Sequence, residues 1–114
     1  ECRIERRARL GGLEVAVVRV TAERIARDEE LRLAVREPAG WRYVSSIPPL
    51  VQNGHGWRGA IELVGLDVGA QAIAVRTRSW ARSGDEPVDT TPSWEEAALL
   101  CARSDEGAWG CDAG

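Results

Sequence analysis

In Leu31-Arg32-Leu33-Ala34-Val35-Arg36 the large apolar side chains at 31, 33 and 35 alternate with those at 32, 34 and 36. A two-residue period puts successive side chains on opposite faces of an extended chain, so this stretch reads as a half-buried strand with arginine on its wet face. Upstream, Leu13 to Thr21 is apolar on both faces, with Val15 and Val17 on one and Ala16, Val18 and Val20 on the other. Such a strand is expected to be central in its sheet and covered on two sides. Ile4, Ala8 and Leu10 alternate with Glu5, Arg7 and Arg9, while Arg6 falls on the apolar side and points to an edge strand or a bulge. Downstream, Trp57, Gly59, Ile61 and Leu63 alternate with Arg58, Ala60 and Glu62, and Ala70 to Ser79 is a further strand with Arg76 and Arg78 pointing one way.

Turn chemistry separates these runs. Gly11-Gly12, Pro38-Ala39-Gly40, Pro48-Pro49, Asn53-Gly54 and Gly65 through Gly69 offer the φ > 0 positions and fixed φ values that chain reversals need. The resulting strands lie near residues 3–10, 13–21, 30–37, 41–47, 57–64 and 70–79, and Ala22 to Glu30 reads either as one helical turn or as a polar crossover between sheets. The expected fold is all-β: an antiparallel two-sheet sandwich of about six or seven strands. Its architecture resembles the immunoglobulin and fibronectin type, although the Cys–Trp–Cys spacing of a true immunoglobulin domain is absent. One domain of 114 residues is expected, strand-rich to residue 80, with a Gly/Pro/Asp-rich linker over 81–92.

Beyond the linker, Ser93-Trp94-Glu95-Glu96 fits a capping box, and Trp94, Ala97, Ala98 and Cys101 follow at i, i+3, i+4 and i+7. Start signal and period together favour a short C-terminal helix over about 93–103, followed by an acidic tail. A hairpin competes with it: a three-residue Asp105-Glu106-Gly107 loop would set Cys101 opposite Cys111. On the helix reading Cys101 is a small buried hydrophobe, and thiols are favoured over a 101–111 disulfide because nothing else signals an oxidising compartment. A cytoplasmic location is correspondingly preferred to export. A chain that starts at Glu1 rather than Met is expected to be processed or excised from something longer.

Charge divides unevenly. Residues 1–84 carry 14 Arg against 10 acids, a net of +4, whereas residues 85–114 carry one Arg against 8 acids, a net of −7. Arg7 and Arg9, Arg32 and Arg36, and Arg76 and Arg78 each occupy one face of a strand and are expected to pool on a basic sheet surface. Glu5, Glu14, Glu37 and Glu62 are expected to pair with them across strands. A sequence pI near 5.2 argues against nucleic acid as a partner, and the apolar runs are far short of the ~20 residues that a membrane-spanning helix needs.

Candidate chemistry is sparse. Three cysteines without a Cys-x-x-Cys, beside one histidine, lack the ligand set of a zinc site. Gly54-His55-Gly56-Trp57-Arg58-Gly59 matches the dinucleotide-binding glycine spacing, but a strand rather than a helix follows it, so no cofactor is expected. His55, between two glycines on a loop, suits a ligand contact; catalysis would need a positioned partner, and none is close in sequence. Five Trp stand against one Tyr and no Phe. Trp57 and Trp94 are assigned to the core by phase, Trp41 to neither core nor surface, and Trp80 and Trp109 to the surface. The function expected is therefore a non-catalytic module that binds a protein partner or a second copy through a sheet edge and exposed Trp and Arg side chains. Its candidate binding residues are Arg7, Arg9, Trp41, His55, Arg76, Arg78, Trp80 and Trp109. The alternative is a carbohydrate-binding domain in which exposed Trp rings stack on sugars.

Overall fold

The computed structural model describes residues 1–23, 27–54, 56–84 and 93–113. Eight strands run in chain order: β1 (Cys2–Leu10), β2 (Leu13–Glu23), β3 (Arg27–Glu37), β4 (Gly40–Asn53), β5 (Trp57–Val68), β6 (Ala72–Ser83), β7 (Glu95–Arg103) and β8 (Trp109–Ala113). They form two four-stranded antiparallel meanders, β1-β2-β3-β4 and β5-β6-β7-β8. The core is shared: Val15, Val17, Leu31, Leu33, Val35, Ile47 and Val51 of the first sheet meet Ile61, Ile73, Val75, Leu99 and Cys101 of the second. Each large aliphatic side chain buried there contributes about 2 kcal/mol.

Several expectations are corrected. The sheets are filled by consecutive strands, without the strand exchange between sheets that an immunoglobulin-like or fibronectin-like Greek key requires. Ala22 to Glu30 is not a crossover between sheets: Thr21, Ala22 and Glu23 pair with Glu29, Asp28 and Arg27 in one sheet, and residues 24–26, on which the helical-turn reading fell, lie outside the described residues. Pro48-Pro49, joined by a cis peptide bond, makes no reversal but sits in a bulge of β4, where Leu31 pairs with Ile47 and Glu29 with Val51. Gly65 likewise marks a bulge inside β5. Of the 81–92 linker, residues 81–83 extend β6 and residues 85–92 lie outside the described residues.

The C-terminal helix is also absent; among the described residues there is none. Residues 95–103 are β7, paired on one side with β6 and on the other with β8, and Cys101 stands opposite Cys111 in a disulfide. The hairpin prevails because its loop satisfies its own backbone: Gly107 N–H donates to the Ser104 carbonyl, Ser104 N–H to that of Ala108, and Gly107 adopts φ 85°. As a strand, β7 also places Leu99 and Cys101 on the core face, which the alternation 97, 99, 101 allows as readily as the helical period does.

A polar node joins the sheets. The β1 bulge between Ile4 and Arg6 turns the Glu5 side chain inward to bond Arg19 of β2. Arg19, only 14 % exposed, also donates to Glu29 at 3.4 Å and to the Ile61 carbonyl of β5 at 2.8 Å. Burial alone would raise the Glu5 pKa, but the bond and charge of Arg19, with Arg3 alongside, outweigh it and hold the carboxyl below 4.5. Nearby, the Asn53 side-chain amide donates to the Gly59 carbonyl and its oxygen accepts from Gly59 N–H, so it stands in for a strand residue. A Cβ at Gly59 would lie 2.7 Å from the Trp80 carbonyl oxygen, which explains glycine there.

Two outcomes follow from this architecture. Replacing Cys101 and Cys111 together by Ala should lower unfolding free energy by about 2.5 kcal/mol, the entropy of freeing a loop of this size; denaturant titration of oxidised protein reads it. Because Glu5 is held below its ordinary value, its stabilising effect is present above pH 4.5 and lost as pH falls through the lower folded value. Glu5→Gln should flatten that acid limb, measured as the urea midpoint from about pH 5 to pH 3.

Candidate functional site

The outer face of the first sheet is the most developed surface. Opposite the core register, β2 presents Ala16 and Val18, β3 presents Arg32 and Ala34, and β4 presents Trp41 and Tyr43, with Ala16 paired to Ala34 and Ala34 to Tyr43. The β1 bulge switches Ile4 to this same face, opposite Val18, while Ala8 stays opposite Val15 on the core side. With Val18 and Arg42 beside them, Ala16 and Ala34 form the buried floor of an open groove of about 230 Å³ whose walls are Ile4, Trp41 and Tyr43 (42–49 % exposed). The expectation that β2 is covered on two sides is thus met on one side only. The small floor residues are sheltered by their own neighbours, and the groove is open above them.

Arginines rim this groove. Arg9 and Arg36 share Glu14, at 3.6 Å and 3.3 Å; Arg32 pairs with Glu30 and lies over the Tyr43 ring at 5.1 Å from its centroid. Arg7, opposite Ala16, is exposed and makes no ion pair among the described residues. Arg7, Arg9, Arg32 and Arg36 against Glu14 and Glu30 leave the rim of the groove with a surplus of positive charge.

Arg76, Arg78 and Trp80 stand on the outer face of the second sheet, so the arginine rows do not pool: the two sheets carry them on opposite sides of the body. Arg78 pairs with Glu62 at 2.6 Å and lies over the Trp94 ring at 4.5 Å; Arg82 lies over Trp80 at 5.4 Å, and the two indoles meet edge to face at 6.4 Å. The Arg76 guanidinium covers Gly65, where a Cβ would meet it. The expected pairings of Glu14 with Arg9 and Arg36 and of Glu62 with Arg78 are present; Glu37 pairs instead with Arg42 at 2.6 Å, and Glu5 with Arg19.

Three of the Trp assignments are corrected, and Trp80 stands on the outer face as expected. Trp57 and Trp94 are exposed, Trp80 is half-buried, and Trp109 packs against the core beside Cys111. Trp94 was phased on a helix that does not form, and Trp57 flanks the β4–β5 turn, pairing through both backbone bonds with Gly54. His55 lies outside the described residues. Among the described residues no three His, Cys, Asp or Glu side chains converge on a metal-sized point, and no helix is long and apolar enough to cross a membrane. Sequence reasoning missed Tyr43 and Ile4 as groove walls and Arg19 as the internal node. Arg19 was detectable, as the single charge on the inward register Val15, Val17, Arg19.

Against protein families, curated proteins and solved structures, the chain matches none.

The stacked ladder carries its own test. Arg78→Ala removes both the Glu62 pair and the cover over Trp94, and should cost about 1 kcal/mol. It should also weaken the circular-dichroism exciton band of the Trp80–Trp94 pair, whereas Arg58→Ala should leave that band unchanged.

Proposed function

We propose that this chain is a non-catalytic interaction module that docks, through the outer face of its first sheet, onto a protein surface that is apolar and acidic. The observation that carries the reading is the groove over Ala16 and Ala34, walled by Ile4, Trp41 and Tyr43 and rimmed by Arg7, Arg9 and Arg36. Exposed aromatics around a small-residue floor give large contact area at low entropic cost, and arginine at the rim steers a carboxylate-bearing partner. A face rather than a sheet edge is favoured because β4 carries Pro48-Pro49 and β1 carries a bulge, both devices that discourage strand addition. The disulfide fits an oxidising compartment. The carbohydrate alternative is less well supported, because of its candidate rings Trp80 lies under the Arg82 guanidinium and Trp109 packs against the core, which leaves Trp41, itself a wall of the groove.

The test is a nuclear magnetic resonance titration of the dilute labelled chain. One probe is a synthetic peptide alternating leucine with glutamate; the other replaces glutamate by lysine. Shifts at Ile4, Val18, Ala34 and Tyr43 with the acidic peptide only, reduced by salt and lost in Tyr43→Asp, support the reading. No response of that face to the acidic peptide overturns it, as does a stronger response to the lysine peptide or to a polysaccharide panel.

A further inference from the structure

We infer that the partner of the groove is a second copy of this chain, which presents the outer face of its second sheet, so that copies stack head to tail. This rests on the docking reading above and names its occupant. The receiving surface is an open apolar depression of about 650 Å³ centred on Leu100, which is 53 % exposed. Around Leu100 stand Ala74 of β6, Ala102 of β7 and Gly110 of β8, all on the face turned away from the core. Asp67 and Asp112 flank it, and neither has an ion-pair partner among the described residues.

The two faces are complementary in size and in charge. The groove face projects Ile4, Trp41 and Tyr43; the depression offers small residues around one leucine. The groove rim holds two more arginines than carboxylates, and the depression holds two unpaired aspartates. A copy of this chain therefore supplies the acidic, apolar surface that the groove calls for. Arg76 lies one row above the depression, but its guanidinium is laid over Gly65 on β5. Because the faces lie on opposite sides of the body, the contact is heterologous and does not close on itself, and repetition lengthens the stack.

Sedimentation velocity over a concentration series reads the association, and mixing reads its geometry. The intact chain should grow beyond 12.4 kDa in steps as concentration rises, and less so in high salt. Tyr43→Asp and Leu100→Arg, both at exposed positions, should each hold the chain as a monomer. Mixed, these two variants retain one working groove and one working depression between them, and should form a dimer and nothing larger. Loss of association in Tyr43→Asp with none in Leu100→Arg means a groove-to-groove dimer and overturns the inference. A chain that stays monomeric at every concentration also overturns it, and if the acidic peptide still shifts the groove, the docking function stands with another partner. Absence of both responses removes the docking function as well.

Discussion

The arrangement of the two sheets turns on one guanidinium. Arg19 stands in the inward register of β2, where the preceding positions hold fully buried valines, and its charge is tolerable only because three acceptors surround it. Two are carboxylates from its own sheet and the third is the Ile61 carbonyl of the other. The cost of removing a guanidinium from water is offset locally, and the bond to Ile61 joins the sheets by direction as well as by apolar contact. Apolar burial between two sheets is largely indifferent to how one slides over the other; a bond to one carbonyl is not.

That bond also has a consequence at the edge of β5. Antiparallel pairing with β6 occupies only one side of the strand, so alternate residues leave N–H and C=O groups pointing outward. Gly59 and Ile61 are successive residues of that kind. Asn53 satisfies both groups of Gly59 and Arg19 satisfies the carbonyl of Ile61, so the junction between the meanders is closed by side chains rather than by a ninth strand. Glycine at 59 follows from the same crowding, since β4 and β6 both approach there.

Alternation made most of the first sheet legible. The strand at 31–36, the doubly apolar strand at 13–21 and the irregularity at Arg6 all have counterparts, because a period of two with charged punctuation has few other solutions. The C-terminal segment was not legible, because Trp94, Ala97, Ala98 and Cys101 satisfy a helical period while 97, 99 and 101 satisfy a strand period equally well. Tertiary pairing with β6 and the covalent link to Cys111 decided between them. The groove was half legible. Ala16, Val18 and Val20 announced a second apolar face on β2, but which face stays open depends on where the other sheet lies. Ile4 reached that face only through a bulge whose location a pattern cannot assign.

Four strands end at open edges, and each edge is made unattractive to a further strand by a different device. β1 is bulged and carries Arg3, Arg6, Arg7 and Arg9; β4 bears two prolines that lack backbone donors. β5 has the outward groups of Gly59 and the Ile61 carbonyl occupied by Asn53 and Arg19, and β8 is only five residues long. With edge pairing disfavoured on every side, the docking function proposed above falls to the faces. Those faces are unlike each other, the first with an apolar groove rimmed by arginines, the second with an aliphatic depression flanked by two aspartates beside the Arg78–Trp94 and Arg82–Trp80 contacts. Like faces cannot satisfy one another's charge, whereas unlike faces can, so the pattern that blocks disordered edge growth leaves an ordered, face-to-face route open.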